Sequence, residues 1–315
     1  NNTGLGLQAM RYNTTGDFNV AVGSGALREN TTADNNTSVG YQALLLNTTG
    51  AGNVAVGYVA LDANTTASAN TAIGQHALTD NTTGASNTAV GSGALGDNTT
   101  ADNNVAVGVN ALRINTTGAY NVGVGAFALD ANTTAGGNTA IGTSALTTNT
   151  TGSELVALGF EALNDNTTGA SSTAAGYQVL HSNTTGEINT GFGHKCLLAN
   201  STGTGNTAVG ASSLRANTTA SNNTAVGRTA LNANTTGTRN TAVGAFALED
   251  NTTANNNTAL GYNAGRNLTT GSENTALGQA SLASSTTAAS CVAVGYQALF
   301  YNTDGGENTA LGKMR

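Results

Sequence analysis

The chain has 315 residues, of which 38% are hydrophobic, 4% aromatic and 9% charged, and its formal net charge is −7. Ten Lys and Arg residues against 17 Asp and Glu residues leave no basic surface for neutralising phosphates, which argues against nucleic-acid binding. No apolar run is long enough to cross a bilayer, so we predict no membrane span.

A glycine recurs every 17 residues along the whole chain, with no insertion or deletion. Equal intervals indicate equal environments, which a stack of like coils provides and an ordinary globular domain does not. We therefore predict an all-β, parallel β-solenoid (a β-roll or β-helix) with about one 17-residue coil per repeat. It would run through residues 1–315 as one continuous segment of about 18 repeats. We call the recurring residues the coil glycines: Gly6, Gly23, Gly40, Gly57, Gly74, Gly91, Gly108, Gly125, Gly142, Gly159, Gly176, Gly193, Gly210, Gly227, Gly244, Gly261, Gly278, Gly295 and Gly312.

Each repeat opens with a segment that has the signature of a short strand. In the copy that ends at Gly91, Thr88 and Val90 flank Ala89, and other copies place Thr or Val before the Ala and Val, Ile or Leu after it. Side chains two residues apart share one face of a strand, and we expect the flanking pair to point inward. The Ala would then point outward, either because a tight bend admits only a small side chain or because a flat face packs against another chain.

Asn stands four residues before the coil glycine in most copies. If one repeat is one coil, these Asn residues stack above each other and can form a hydrogen-bonded ladder, as in cross-β assemblies. The chain has no proline, so nearly every amide is available for bonds between coils. The predicted structural ladder comprises Asn53, Asn70, Asn87, Asn104, Asn121, Asn138, Asn206, Asn223 and Asn240.

The second half of each repeat, Asn-Thr-Thr followed by Gly or Ala, has the composition of a turn. Asn tolerates left-handed backbone, and Gly adopts positive φ without a steric penalty. Because Asn-x-Thr is also the acceptor motif for N-linked sugars, these blocks are candidate glycan attachment sites, with turn geometry as the alternative. O-linked sugars on the Thr-rich turns are a further option. The candidate attachment residues are Asn13, Thr15, Asn47, Thr49, Asn81, Thr83, Asn234 and Thr236.

A second, 34-residue period is superimposed on the 17-residue repeat. The Asn-Thr-Thr block ends alternately in Gly and Ala, as at Gly84 and Ala101. The alternation breaks between Gly152 and Gly203 and then resumes in the opposite phase. It is compatible with the duplication of a pair of repeats or with a coil of 34 residues, and we favour the 17-residue coil.

The repeat predicts no enzyme and no catalytic, cofactor-binding or metal-binding residue. A catalytic site needs unlike residues that converge on one point, whereas a near-perfect repeat supplies like ones. His76, His181 and His194 occupy variable positions without a second His at a spacing that would share a metal. Cys196 and Cys291 lie five to six repeats apart, too far for a disulfide, whose Cα atoms must approach within about 7 Å.

Special function, if local, would lie where the repeat is least regular. One such stretch contains Leu155, Ser172, Ala175, His181, Ile188, Phe192, His194, Lys195 and Cys196. A second contains Gly265, Leu268, Ser285, Cys291, Phe300 and Tyr301. Relaxed selection explains this loss of regularity as well as a binding site does.

The segment from Asn87 to Ala94 resembles the head repeat of YadA-like trimeric autotransporter adhesins. The segments Gly40 to Leu44 and Gly295 to Leu299 also resemble the Asn-Thr-Ala-Val-Gly-Tyr-Gln-Ala-Leu arrays of phage tail-fibre-like and bacterial surface proteins. The resemblance covers the whole chain but rests on one short motif, and the adhesin repeat is usually shorter than 17 residues. It implies a parallel β-roll that is homotrimeric, extracellular and used for structure and attachment.

We therefore expect a structural fibre or stalk segment of a filament, phage fibre or adhesin, which gives a rigid rod for attachment. Its location would be extracellular, on a cell surface or on a virion, and its partners would be other copies, as a homotrimer or end-to-end filament, and a cell-surface or glycan receptor. The chain begins and ends inside a repeat, so we expect it to belong to a longer chain or filament. The alternative is a repetitive ligand-binding surface for ice or glycan, although neighbouring threonines of the Asn-Thr-Thr block should point to opposite sides.

Overall fold

A computed structural model describes residues 1–313, and within them the secondary structure consists of nineteen parallel three-residue strands without a helix. The prediction of an all-β, parallel β-solenoid is confirmed. The strands are β1 (Thr3–Leu5), β2 (Val20–Val22), β3 (Thr37–Val39), β4 (Val54–Val56), β5 (Thr71–Ile73), β6 (Thr88–Val90), β7 (Val105–Val107), β8 (Val122–Val124), β9 (Thr139–Ile141), β10 (Val156–Leu158), β11 (Thr173–Ala175), β12 (Thr190–Phe192), β13 (Thr207–Val209), β14 (Thr224–Val226), β15 (Thr241–Val243), β16 (Thr258–Leu260), β17 (Thr275–Leu277), β18 (Val292–Val294) and β19 (Thr309–Leu311). The chain falls into two compact units, Asn1–Leu155 and Val156–Arg315. The first contains β1–β9 and the second β10–β19.

Successive strands within each unit pair in parallel, in a register of one repeat. Thr88 pairs with Val105 in the first unit, and Thr224 pairs with Thr241 in the second. One coil is therefore 17 residues, not 34. Backbone pairing between coils continues outside the strands, since the amide of Leu95 donates to the carbonyl of Ala111 at 3.0 Å. The hydrogen bonds of the backbone thus hold neighbouring coils together through both strand and turn.

The strands alternate as predicted, but the predicted inward and outward faces are reversed. The central Ala89 is completely buried, whereas its neighbours Thr88 and Val90 are partly exposed. The same pattern recurs in nearly every strand, and Leu260 on an outer position is 52% exposed. The interior is too narrow for two β-branched side chains per strand, because the Leu that lies four residues after the coil glycine in most coils already fills it. The predicted outward Ala face, and any chain-to-chain packing on it, are therefore wrong.

The contact between the strand Ala and this Leu is visible where Gly replaces the Ala. A Cβ built on Gly123 would lie 3.4 Å from Cγ and Cδ1 of Leu112, a tight van der Waals distance. Leu112 is itself fully buried. The interior of a typical coil is thus one Leu packed against Ala side chains, with no room for an aromatic ring. This explains why the aromatic residues of the chain all lie elsewhere.

The coil glycines are fixed by two independent constraints. Gly91 has φ of +139°, which favours Gly over residues with a side chain. A Cβ on Gly91 would also lie 2.6 Å from the carbonyl carbon of Gly108 in the next coil, and closer still to its oxygen. The close approach of neighbouring coils at this corner therefore excludes every other residue, which accounts for the unbroken glycine register.

The Gly/Ala rhythm also has a packing cause. A Cβ on Gly84 would lie 2.5 Å from Oδ1 of Asn81 and even closer to the carbonyl oxygen of Ala101 in the next coil. A methyl group at residue 84 is therefore excluded, while the next coil accommodates one at Ala101, which is buried. The Gly positions of the alternation are thus set by contacts with the next coil, and the register of one repeat shows that the coil is no longer than 17 residues.

The first irregular stretch is a compensated change of the core. Val179 and Cys196 replace the usual Ala three residues after their coil glycines, and both are fully buried. Gly191 replaces a strand Ala between them, and a Cβ there would lie 2.5 Å from Cγ1 of Val179 and 3.3 Å from Sγ of Cys196. The lost methyl group at residue 191 thus makes room for the larger side chains.

The second irregular stretch contains a similar exchange. Gly265 replaces the interior Leu of its coil, and Leu268 replaces the Asn of the turn. Leu268 is fully buried, and a Cβ on Gly265 would lie 3.1 Å from its Cδ1. Leu268 has no amide to offer its neighbour, and the buried side chain of Asn251, one coil earlier, has no hydrogen-bond partner on either polar atom. The apolar interior is preserved here, while Asn251 and the Oδ1 atom of Asn234 lack the ladder hydrogen bonds that other turn Asn residues make.

Candidate functional surface

The predicted ladder Asn residues are buried and close each coil. The backbone amide of Asn53 donates to Oδ1 of Asn36 at 2.9 Å, one coil earlier. Its Nδ2 donates at 2.9 Å to the carbonyl of Ala67, at the end of the same coil. The side chain therefore bonds to backbone groups in two places, instead of forming mainly the side-chain ladder that stacking suggests.

The bond from the backbone amide recurs at the other predicted positions, although Nδ2 of Asn104 is buried without a hydrogen-bond partner. Amide-to-Oδ1 bonds of 2.9 to 3.0 Å link Asn70, Asn87, Asn104, Asn121, Asn138, Asn206, Asn223 and Asn240 to the preceding coil. All of them are completely buried. A buried donor or acceptor without a partner destabilises a fold by about 1–3 kcal/mol, so this column has a structural role.

The Asn of the Asn-Thr-Thr block, which we call the turn Asn, forms the side-chain ladder instead. Nδ2 of Asn81 donates to Oδ1 of Asn64 in the preceding coil at 3.1 Å and to the carbonyl of Gly84 at 2.9 Å. Two Asn side chains converge on that carbonyl, because Nδ2 of Asn70 also donates to it at 2.8 Å. Hydrogen bonds from two Asn side chains inside the coil thus fix the position of the turn.

This burial bears directly on the candidate glycan sites. Asn47, Asn81 and Asn234 have no exposed surface, and their Nδ2 atoms donate to neighbouring groups. Asn13 is partly exposed, and its Nδ2 donates to the carbonyl of Gly16 at 3.0 Å. A sugar on Nδ2 would replace one of its two N–H donors, and a sugar has no space inside the coil. The Asn members of the candidate set therefore fit turn geometry and not glycan attachment in the folded chain.

The two threonines of the block have different environments. The first, exemplified by Thr82, is partly buried, and its hydroxyl donates to the carbonyl of Thr99 in the next coil at 3.1 Å. Ser201 is the one replacement in this column among the described residues, and its hydroxyl donates in the same way to the carbonyl of Thr218 at 3.1 Å. The first Thr is therefore explained by the bond that its hydroxyl makes.

The second threonine points to solvent. Thr15, Thr49, Thr83 and Thr236, the Thr members of the candidate set, are all exposed. We call the column they belong to the second-Thr row. The separation of the two threonines to different sides follows the sequence prediction, and it leaves a single row of outward Thr side chains, one per coil.

A second exposed surface is formed by the outer positions of the strands. The position just before the coil glycine carries Val, Ile, Leu, Ala or Phe in all nineteen copies, with no polar residue. Several of these side chains are well exposed, including Ile73 at 40%, Ile141 at 44% and Phe192 at 44%. Apolar groups that repeat without exception on an exposed face are typical of an interaction surface. We call this column the outer apolar row.

Exposed aromatic residues stack between coils next to the outer apolar row. Tyr41 and Tyr58 stack with centroids 5.4 Å apart, and Tyr177 stacks on Phe160 at 5.5 Å and on His194 at 5.3 Å. Rings that stack on each other cover their own faces and present mainly edges to solvent. A sugar-binding platform needs ring faces that solvent can reach, so these stacks are better explained as contacts that stabilise neighbouring coils.

Charged side chains form local pairs on the surface. His181 lies 3.5 Å from a carboxylate oxygen of Glu161 and 3.5 Å from one of Asp165. Arg113 pairs with Asp130 at 3.0 Å. Burial raises the pKa of the Asp130 carboxyl, and the attraction of the Arg113 guanidinium opposes that rise. Within residues 1–313 no group of three or more His, Cys, Asp or Glu side chains could hold a metal ion.

The remaining residues of the irregular stretches do not converge on one point. Leu155, Ser172, Ser285 and Cys291 lie in the interior, whereas Ile188 is 61% exposed. Ala175 lies on the outer apolar row with Phe192, and Lys195 lies over the ring of Tyr177 at 5.6 Å. Phe300 and Tyr301 contact each other edge to face. The named residues of these stretches are thus divided between the interior and several exposed positions.

The two cysteines are buried and free. Burial raises the pKa of the Cys196 thiol from 9.0 to about 12, because the thiolate would lose its hydration inside the coil. Cys196 is thus a packing residue, unreactive in the folded chain at neutral pH.

Comparison with known proteins adds no functional assignment. No protein-family model matches the chain, and no curated protein matches it. Across the residues that the structure describes, no helix is both long and apolar enough to cross a membrane.

Proposed function

We propose that this chain is a non-enzymatic structural segment of an extracellular fibre or stalk, such as a filament, phage fibre or adhesin. The observation that carries the proposal is the bonding of neighbouring coils within each unit by backbone hydrogen bonds and, in most coils, by Asn contacts such as those of Asn53 and Asn81. Coils joined in this way resist local opening, because each buried amide would lose its partner. Such a stack would present every surface group once per coil.

Self-association is the second part of the proposal, and the outer apolar row supports it. A partner that covers this row has to supply an apolar group at every coil. A second copy of the chain repeats at the same interval and meets that requirement along its length, whereas a compact partner would cover only a few coils. The buried Ala column takes no part in this contact.

Electron microscopy of the purified chain tests the fibre, and sedimentation velocity tests the association. We expect elongated particles and a mass above that of one 31.0 kDa chain. The triple variant Val90→Lys, Val107→Lys, Val124→Lys should sediment as a monomer, because burying three ammonium groups without partners is unfavourable. Compact particles, or an assembly that survives the three lysines, would contradict the proposal.

The matched control places three lysines on another exposed site of the same repeats. Ser86, Asn103 and Tyr120 lie just before ladder Asn residues and have φ values of 58° to 62°. Arg239 occupies the same position in another coil, so a long cationic side chain is accepted there. The variant with lysines at these three positions should keep the mass of the unmodified assembly.

An ice-binding surface is the alternative that one observation favours. The outward positions that begin the strands carry only Thr or Val, at one residue per coil, next to the outer apolar row. This gives a regular array of hydroxyl and methyl groups on a sheet face. A thermal-hysteresis measurement decides, since a binding surface should depress the freezing point below the melting point and a purely structural segment should not.

A further inference from the structure

The second-Thr row has a composition that the fold does not require. Thr occupies this position in seventeen of eighteen blocks, with Asp304 as the exception. Every one of the seventeen side chains is exposed. Within residues 1–313 none of their hydroxyls makes a hydrogen bond in the folded chain. The row comprises Thr15, Thr32, Thr49, Thr66, Thr83, Thr100, Thr117, Thr134, Thr151, Thr168, Thr185, Thr202, Thr219, Thr236, Thr253, Thr270 and Thr287.

Two other columns of the same chain serve as internal controls. Where the strand requires only a β-branched shape, at the position of Thr88, the chain uses Thr thirteen times and Val six times. Where a hydroxyl has an internal partner, at the position of Thr82, Ser201 replaces Thr in one coil and makes the same bond. The second-Thr row contains neither Val nor Ser. Contacts within the fold therefore do not account for the recurrence of Thr in this row.

We propose that the second-Thr row is a site of O-linked glycosylation, with one attachment point in each coil. The inference deepens the proposed extracellular fibre and rests on it for the setting in which a glycosyltransferase meets the chain. The donor would be a nucleoside-diphosphate sugar. The Thr Oγ1 would form a bond to the anomeric carbon, the bond from that carbon to the diphosphate oxygen would break, and the hydroxyl proton would pass to a base of the transferase.

The structure separates this site from the N-linked alternative within the same motif. Asn81 is completely buried, and its Nδ2 donates two hydrogen bonds, whereas Thr83, two residues later, is exposed with an unbonded hydroxyl. The intervening Thr82 is excluded as well, because its hydroxyl donates to the carbonyl of Thr99. Of the three residues in the block, only the second Thr is free to react without disturbing contacts between coils.

Charge favours a sugar over a phosphate on this row. Successive coils place the threonines about 4.8 Å apart, the usual distance between paired strands. A phosphate carries about −1.5 to −2 charges at neutral pH, and a row of them at this spacing would repel strongly. The chain already has a net charge of −7 and only ten Lys and Arg residues, so it could not compensate.

Mass spectrometry of the chain isolated from its native source tests the assignment. Peptides that contain Asn81, Thr82 and Thr83 should carry hexose or aminohexose mass on Thr83 alone, as located by electron-transfer fragmentation. The same result is expected at Thr49 and Thr236, and alkaline β-elimination should release the sugar. Sugar on Asn81 or Thr82, phosphate on Thr83, or unmodified second threonines throughout the chain would each overturn the proposal. Electron microscopy of the same sample reports on the fibre separately.

A recombinant comparison tests the premise that the fold does not need these threonines. The variant Thr83→Val, Thr100→Val, Thr117→Val removes three hydroxyls of the second-Thr row, and Thr82→Val, Thr99→Val, Thr116→Val removes their neighbours. In the unmodified chain, we expect the first variant to keep the denaturation midpoint and the second to lower it, because only the second loses hydrogen bonds. If the two variants lowered the denaturation midpoint equally, the stability of the fold would depend on the second Thr hydroxyls as well, and the proposal would be overturned.

Discussion

Replacement of one coil glycine by Ala should strongly destabilise the solenoid. In Gly91→Ala the new Cβ would lie 2.6 Å from the carbonyl carbon of Gly108, where real contacts are essentially never under 3.0 Å. The two coils would have to separate, and the bond from the amide of Gly108 to the carbonyl of Val90, now 2.8 Å, would lengthen. The effect therefore falls on the contact between neighbouring coils.

Two terms set the size of the effect. An Ala held at φ of +139° is strained by about 1–3 kcal/mol. Overpacking a closely fitted interior adds about 1–3 kcal/mol. We expect a loss of about 2–6 kcal/mol in the free energy of unfolding, a large fraction of the stability of an ordinary domain, which is about 5–15 kcal/mol.

The matched control is Gly52→Ala. Gly52 has φ of +67°, and no atom lies within 4 Å of a Cβ built on it. Ala69 occupies the same position in the next coil with φ of +60°, so this backbone accepts a methyl group. We expect the control to change stability by less than about 1 kcal/mol.

Urea denaturation of both variants, followed by circular dichroism, measures the difference. The midpoint of Gly91→Ala should fall well below that of Gly52→Ala, and the transition can separate into two steps, because repeat proteins are stabilised by contacts between nearest neighbours. Equal midpoints for the two variants would refute the argument that carbonyl contact between coils fixes the glycine register.

Further predictions concern the interior. Gly265→Leu should destabilise the chain by about 1–3 kcal/mol through overpacking, and Leu268→Asn by about 2–5 kcal/mol through lost packing. The double variant should recover most of both losses in urea denaturation, and additive losses would contradict the compensation. Asn98→Ala should destabilise by about 2–4 kcal/mol, since the bonds of its Nδ2 to Asn81 and to a main-chain carbonyl are lost together; a change below about 0.5 kcal/mol would argue against the Asn ladder. The neutral Cys196 thiol should contribute stability that is complete below pH 9.0 and lost as the pH rises to about 12, because its pKa is raised on folding. The variant Cys196→Ala should lose less stability than the unmodified chain over this pH range, because it has no thiol to ionise. The native thiol should also resist alkylation at neutral pH until the chain is unfolded.

Some features of the surface were predictable and others were not. The sequence indicated that the two threonines of each block would face different ways, because neighbouring side chains in extended backbone alternate. The Asn-x-Thr motif selects the second threonine of each block, such as Thr83, as a glycan candidate, but the sequence could not show that the hydroxyl of Thr82 is bonded to the next coil. The glycan candidates were grouped by the Asn-x-Thr motif, and only burial separates Asn81 from Thr83.

The irregular stretches show a similar limit. Substitutions such as Gly191 and Gly265 are visible in the sequence as departures from the repeat. Their partners, Val179 and Leu268, are three or more residues away in the chain, and their contacts depend on how coils stack. Without the distances, compensation in a core could not be distinguished from loss of the repeat or from a special site.

The spacing of the glycines alone determined that the chain is a parallel β-solenoid of 17-residue coils, because only stacked equal coils make every seventeenth position equivalent. Periodicity also fixed which strand residues share a face. Tertiary structure alone decided which face is inside. A pattern of two β-branched residues around an Ala fits either orientation, and the choice depends on the width of the interior, which the Leu at residues such as Leu95 fills so completely that only Ala can face it.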